Sequence, residues 1–289
     1  MKLTARLSSM TRPLAGLAAA IGLLLAPSCA TVNPVTGRRA YNIYSLDDDV
    51  KLGQAVLESN NEQLREAGVP INQDAQTLRK LEHMVARIAA VSDLPDLPYT
   101  VTLYHTNLVN AAAAPGGAIM VFEGLWHPED GLVRDDDELA AVLAHEVAHI
   151  TCRHTTERLT QVTTAALLAE TAAAVATSRS NEDWAQGIRA AFAVGTTLWI
   201  PAYSRRDERE ADRVGMFYMA RAGYPPQAMV RIWERASQRP GTPQRASIFA
   251  THPSSRERLD HLQALLPEAE RVYQESRARA EASGVSPSH

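Results

Sequence analysis

The stretch ELAAVLAHEVAHITCRHTTE, residues 138–157, holds three of the chain's nine histidines within ten positions. Its apolar residues Leu139, Val142, Leu143, Val147 and Ile150 recur at helical spacing and nearly encircle the axis. A helix that is apolar on most sides belongs inside a domain, with other elements packed around it. Asp135 or Asp136 can cap it, and the acids of RDDDEL suit the positive end of the helix dipole.

On such a helix His145 and His149 stack one turn apart on one face, where two imidazoles can converge on a single ion. Glu146 lies about 100° round the axis, near that ion without binding it, as a base acting on water must be. Burying a His-Glu-His cluster that had no partner would cost several kcal/mol, on the order of 2–7 per polar group. His154, nine positions beyond His145, falls about 180° round a continuous helix and is expected to face away. Cys152 shares the face of His145 and His149 and reads as a small buried core residue. A catalytic metal needs a further protein ligand. SRRDEREADRVG offers one, because Glu208 and Asp212 are again one turn apart on a helical face. Taken alone, that segment reads better as a solvated charge cluster among Arg205, Arg206, Arg209 and Arg213.

Around this centre the chain reads as one globular domain. Hydrophobic residues make up 45% and charged residues 21%, enough apolar material for a sizeable core. SLDDDVKLGQAVLESNNEQLREAG, with Ser45 as cap, and DAQTLRKLEHMVARIAAVS are expected helices. LPYTVTLYHT alternates with period two and AIMVF follows Pro115-Gly116-Gly117, so both are expected strands. Residues 162–200 are Ala-rich and helical in character, with a break near SRSNED and no membrane span. Further helices are expected from about Asp207 to Ala222, over PQAMVRIWERASQR, and after a capping box of Ser254 with Glu257. The organisation expected is a signal over 1–28, an extended tether over 29–44, one domain over 45–270 and a polar tail over 271–289.

Lys2, Arg6 and Arg12 followed by PLAGLAAAIGLLLAP form a secretory signal. LLLAPSC resembles a bacterial lipobox, which makes Cys29 the expected site of a lipid anchor; cleavage after Ala30 is the alternative. Removing residues 1–28 takes away three positive charges and no negative ones, moving the formal net charge from −4 to −7. A chain this acidic is a poor nucleic-acid binder. With Cys29 assigned to the signal, only Cys152 remains and no internal disulfide can form.

HEVAHITCRH, followed by SRRDEREAD and THPSSRERL, resembles the zinc metallopeptidases that include the HtpX-type and CAAX prenyl proteases, and among them the soluble periplasmic lipoprotein members. The resemblance runs from NPVTGRR to THP. It implies an α+β, mostly helical zincin-type (gluzincin) fold whose small sheet carries an edge strand, matched here around Met120 and Val121. It implies one zinc on His145, His149 and Glu208, with Glu146 as general base and Asp212 as the partner that orients a ligand histidine. Glu210 is then a bystander, and His252 is a residue that in some relatives approaches the zinc and closes the site. The function implied is an endopeptidase of the bacterial envelope, anchored at the outer membrane through Cys29 and acting on unfolded, damaged or misassembled proteins. The alternative is a latched peptidase-fold module that binds proteins without cutting them.

Overall fold

The computed structural model describes residues 30–33, 35–176, 203–238, 252 and 256–283. The signal, Cys29, the SRSNED break, the RPGTPQ loop and the Ser254 cap lie outside them. The strands are β1 (Ala30–Val32), β2 (Arg39–Tyr41), β3 (Thr100–Tyr104), β4 (Ala111–Ala113) and β5 (Ala118–Phe122). The helices are α1 (Leu46–Glu66), α2 (Ala75–Ala90), α3 (Asp136–Thr151), α4 (His154–Ala176), α5 (Arg205–Arg221), α6 (Gln227–Ser237) and α7 (Arg256–Ala282). None of the described helices is long and apolar enough to cross a membrane.

The chain divides into two compact units. The smaller contains Arg38–Tyr44 and the stretch from Thr156 onward. In it the residues expected as an extended tether are paired: β1 and β2 run antiparallel, with Thr31 opposite Ala40. Arg38 holds the Glu157 carboxylate with two nitrogens, at 3.0 and 2.6 Å, and Asn42 Nδ2 donates to Thr156 Oγ1 at 2.9 Å. The partners lie more than 110 residues downstream, so no local signal announces the pairing.

The larger unit contains Ser45–Thr155 and the residues from Leu198 onward. Its helix starts follow local chemistry. Ser45 and Asp48 form a capping box on α1, Asp74 caps α2, Asp135 caps α3, and Ser204 with Asp207 boxes α5. On α2 the buried residues Leu81, Met84, Val85 and Ile88 make the single stripe that periodicity predicts. On α3 every residue from Glu138 to Thr151 is buried, as its all-round apolar pattern requires.

The sheet has the order β3-β5-β4, with β3 parallel and β4 antiparallel to β5. Met120 and Val121 therefore sit on the central strand, and the edge strand beside the site is β4. Val101, Leu103, Ala111, Ala113, Ile119 and Val121 join the main core, while Tyr104, Ala112, Ala118, Met120 and Phe122 join a second cluster with Val56. Both β4 and β5 are buried on both faces, so it is the ladder, with β5 hydrogen-bonded to β3 on one side and β4 on the other, that makes Ala118–Phe122 the central strand. Thr102, expected to face water, is also buried.

Two glycines set close approaches. Gly116 has φ 71° and opens the turn into β5, where only glycine is unstrained. Gly215 of α5 lies against α3: a Cβ there would stand 2.9 Å from the Ala144 carbonyl oxygen and 3.0 Å from His145 Cα. Gly215→Ala is expected to wedge the two helices apart and cost about 1–3 kcal/mol, read as a lowered denaturant midpoint. An unchanged midpoint would mean that the helices do not pack this tightly.

α7 continues to Ala282, with i,i+4 pairs Arg277–Glu281 and Arg279–Glu275 along its exposed side.

Candidate metal centre

Two helices build the centre. α3 presents His145 and His149 on successive turns, and α5 presents Glu208 and Asp212 in the same way. All four side chains are buried, as are Glu146 and His252. The solvated-cluster reading of SRRDEREADRVG is therefore excluded: its arginines point outward, and its two spaced acids point in.

The donor atoms converge. His145 Nε2 is 3.0 Å from His149 Nε2, 3.2 Å from His252 Nδ1 and 3.5 Å from Glu208 Oε2. Glu208 Oε1 is 3.0 Å from His252 Nδ1 and 3.6 Å from His149 Nε2. A four-coordinate ion bonded at about 2.0–2.2 Å has ligand atoms about 3.3–3.6 Å apart, and the quartet, whose ligand atoms all lie within 4.8 Å of one another, is close enough for one ion to be shared. Three imidazoles and a carboxylate are also a donor set that divalent transition metals favour. These residues fit a metal ion.

Charged groups around the quartet fix its members. His145 Nδ1 faces Asp212 Oδ1 at 3.2 Å. Arg258 grips Asp212 with two nitrogens, at 2.7 and 2.6 Å, and places its third 2.5 Å from Glu208 Oε2. Its guanidinium lies 3.8 Å above the Trp233 ring. Tyr203 stacks on His149 with centroids 3.7 Å apart and planes 19° from parallel. Its hydroxyl is 3.1 Å from Thr155 Oγ1 and 3.4 Å from the Ala113 carbonyl oxygen on β4.

The electrostatics follow from these contacts. Burial opposes charge on His145, but Asp212 and Glu208 outweigh it and lift the group to about 9. Burial holds His149 well below the usual imidazole range, aided by the neighbouring His145. For Glu208 and Asp212 burial pushes upward and is overcome: His252 and Arg258 hold Glu208 well down, and Arg258 holds Asp212 down. Glu146 is different. Burial raises it, only partly countered by His252 and His145, and neither carboxylate oxygen has a hydrogen-bond partner among the described residues. A raised carboxylate without a partner beside a metal site can accept and release a proton.

Sequence reasoning brought together His145, His149, Glu146, Glu208, Asp212 and His252, and the structure places all six within one cluster. One of its expectations needs correction. His154 is outside the quartet, yet it is not on the opposite side of the helix from His149: it packs behind that ring, its Nδ1 2.8 Å from His149 Nδ1. α3 ends at Thr151, Arg153 takes φ 58°, and His154 opens the next helix, so extrapolating one helical wheel across the break misplaces it. Glu210 lies outside the quartet, with its Oε2 3.2 Å from His154 Nε2. Arg258 and Tyr203 were not singled out. Arg258 lies within THPSSRERL, but its acidic partners are more than 40 residues upstream.

Comparison with known proteins agrees with this geometry. Residues 75–266 match the model of peptidase family M48. The chain is 32% identical over 238 residues to the mitochondrial metalloendopeptidase OMA1 of Schizosaccharomyces pombe, covering 82% of this chain and 66% of that protein. It is 26% identical over 238 residues to the beta-barrel assembly-enhancing protease of Escherichia coli, covering 78% of this chain and 45% of that protein. The OMA1 protein of Saccharomyces cerevisiae is 32% identical over 172 residues, 58% of this chain and 46% of that protein. The chain thus spans roughly half to two thirds of the length of these relatives. With the family's model spanning both helices of the centre, the chain belongs to peptidase family M48.

Proposed function

We propose that this chain is a zinc-dependent endopeptidase of the bacterial cell envelope that cleaves unfolded, damaged or misassembled proteins. The observation that carries the reading is the convergence of donor atoms from His145, His149, Glu208 and His252 beside the buried Glu146. In this reading His145, His149 and Glu208 hold the zinc, and His252 is the ligand that can withdraw. The envelope is supported by the signal and lipobox-like sequence and by likeness to bacterial beta-barrel assembly-enhancing proteases; a lipid on Cys29 then anchors the chain at the outer membrane.

Zinc bound there supplies Lewis acidity, lowering the pKa of water and polarising a carbonyl. Glu146 takes a proton from the attacking water and returns it to the leaving amine nitrogen. Asp212, clamped by Arg258, keeps the His145 ring turned so that Nε2 faces the metal. An extended substrate pairs with β4. The hydrogen bonds Ala114 N–H to Ala118 and Phe122 N–H to Asn110 set the phase of β4 against β5, which directs the backbone groups of Ala111 and Ala113 to the other edge.

The position of His252 favours a second reading, in which the site is latched and the chain binds proteins without cutting them. Casein cleavage by wild type, Glu146→Gln and His252→Ala separates the two. His252→Ala is expected to raise cleavage about tenfold, the gain where roughly one chain in ten is open at a given moment. Equal rates would remove the latch, and no cleavage by any of the three would favour the binding reading.

A further inference from the structure

Behind His149, on the side away from the quartet, three polar side chains stand in line. His149 Nδ1 is 2.8 Å from His154 Nδ1, and His154 Nε2 is 3.2 Å from Glu210 Oε2. Thr36 Oγ1 donates to the other Glu210 oxygen at 2.5 Å. Both histidines are about 1% exposed, so water does not supply these contacts.

Two imidazole nitrogens at hydrogen-bond distance need one proton and one lone pair between them. A metal-ligating nitrogen must present its lone pair, so a neutral His149 bound through Nε2 carries its proton on Nδ1 and donates it to His154 Nδ1. His154 then carries its own proton on Nε2 and donates it to Glu210. A single assignment of tautomers satisfies every member, and it runs in one direction, from the metal side to the carboxylate.

We propose that His154 and Glu210 are positioning residues for His149: the chain Glu210–His154–His149 fixes which nitrogen of His149 faces the metal and raises its donor strength. The proposal rests on the metal reading of the quartet. Its logic matches the other ligand histidine, which faces a carboxylate directly, Asp212 at 3.2 Å. Among the described residues the group that meets His149 Nδ1 is His154, which the break at Arg153 brings between that ring and Glu210 as a spacer. A metal histidine that loses such a partner loses about 10–100-fold in metal affinity.

The test uses the full chain and zinc alone, with affinity read by competition against a chelator and folding read by urea unfolding of the metal-free protein. His154→Leu is expected to weaken zinc binding about 10–100-fold. His154→Asn, whose side-chain oxygen can take the place of Nδ1 as acceptor, is expected to recover most of that loss, which a purely space-filling role would not predict. Glu210→Gln, nearly isosteric, is expected to weaken binding several-fold and keeps the test open if His154→Leu fails to fold. Cobalt loaded in place of zinc is expected to show a shifted visible spectrum in His154→Leu and a near wild-type one in His154→Asn. Wild-type affinity in both His154→Leu and Glu210→Gln, or an Asn variant no better than Leu in equally stable proteins, would overturn the relay. A wild-type chain that binds no zinc would overturn the reading of the quartet, and the relay with it.

Discussion

Glu146→Gln is expected to bind metal as wild type does and to lose casein cleavage by about 10²–10⁴-fold, the contribution of a positioned proton-transfer group. The substitution is nearly isosteric. Glu146 is fully buried, and His252 Nε2 lies 3.4 Å from its Oε1, a contact a glutamine of the same shape can keep. Folding and metal content should therefore be unchanged. The defect should fall on turnover, because an amide cannot take a proton from water and return it to the leaving amine. Metal analysis and cleavage rate on the same preparation check this. Normal cleavage by Glu146→Gln would make the mechanism wrong.

Arg258→Met carries the second large effect, on stability. Arg258 is 2% exposed and bridges Asp212 to Glu208. Without it two carboxylates remain buried side by side with only the neighbouring histidines to balance them, and breaking a buried pair this way costs about 3–5 kcal/mol. Methionine fills much of the space over Trp233, so the loss reports charge more than volume. The effect should depend on metal. A divalent cation in the quartet offsets part of the missing positive charge, so the stability gap between variant and wild type should narrow when zinc is present. Urea unfolding in chelator and in zinc reads both numbers. A variant as stable as wild type in chelator would mean that Arg258 is not the charge that holds these acids.

The parts of this molecule written in local chemistry could be read from sequence. The caps at Ser45, Asp74, Asp135 and Ser204 need only residues within one turn; Ser45 is legible as a cap from the sequence, and α3's cap narrows there to Asp135 or Asp136. The two i,i+4 pairs, His145 with His149 and Glu208 with Asp212, are also local. Their burial could be inferred on α3 from its apolar surroundings. On α5 it could not, because four arginines share the segment, and there the family resemblance decided the matter.

What could not be read depended on tertiary placement. The exchange of edge for central strand at Met120 and Val121 comes from β5 lying between β3 and β4, an order that no single strand's pattern encodes. Arg258 finds its acids across 46 and 50 residues of chain. His154 was misplaced because a non-glycine residue, Arg153, adopts a left-handed backbone at the helix break. Arginine carries no sequence signal for that conformation as glycine would. Arg153 is held there by Asp49, whose two carboxylate oxygens accept its Nε at 2.6 Å and another guanidinium nitrogen at 2.9 Å.

The central claim is that His145, His149 and Glu208 hold a catalytic zinc. Its most direct test is zinc content by elemental analysis, with casein cleavage on the same samples, for wild type, Glu146→Gln and His149→Ala after a metal-sparing purification. About one zinc per chain in wild type and Glu146→Gln, little in His149→Ala, and cleavage by wild type alone is the predicted result. Zinc retained in full by His149→Ala, or cleavage by a wild-type chain that carries no metal, would contradict it.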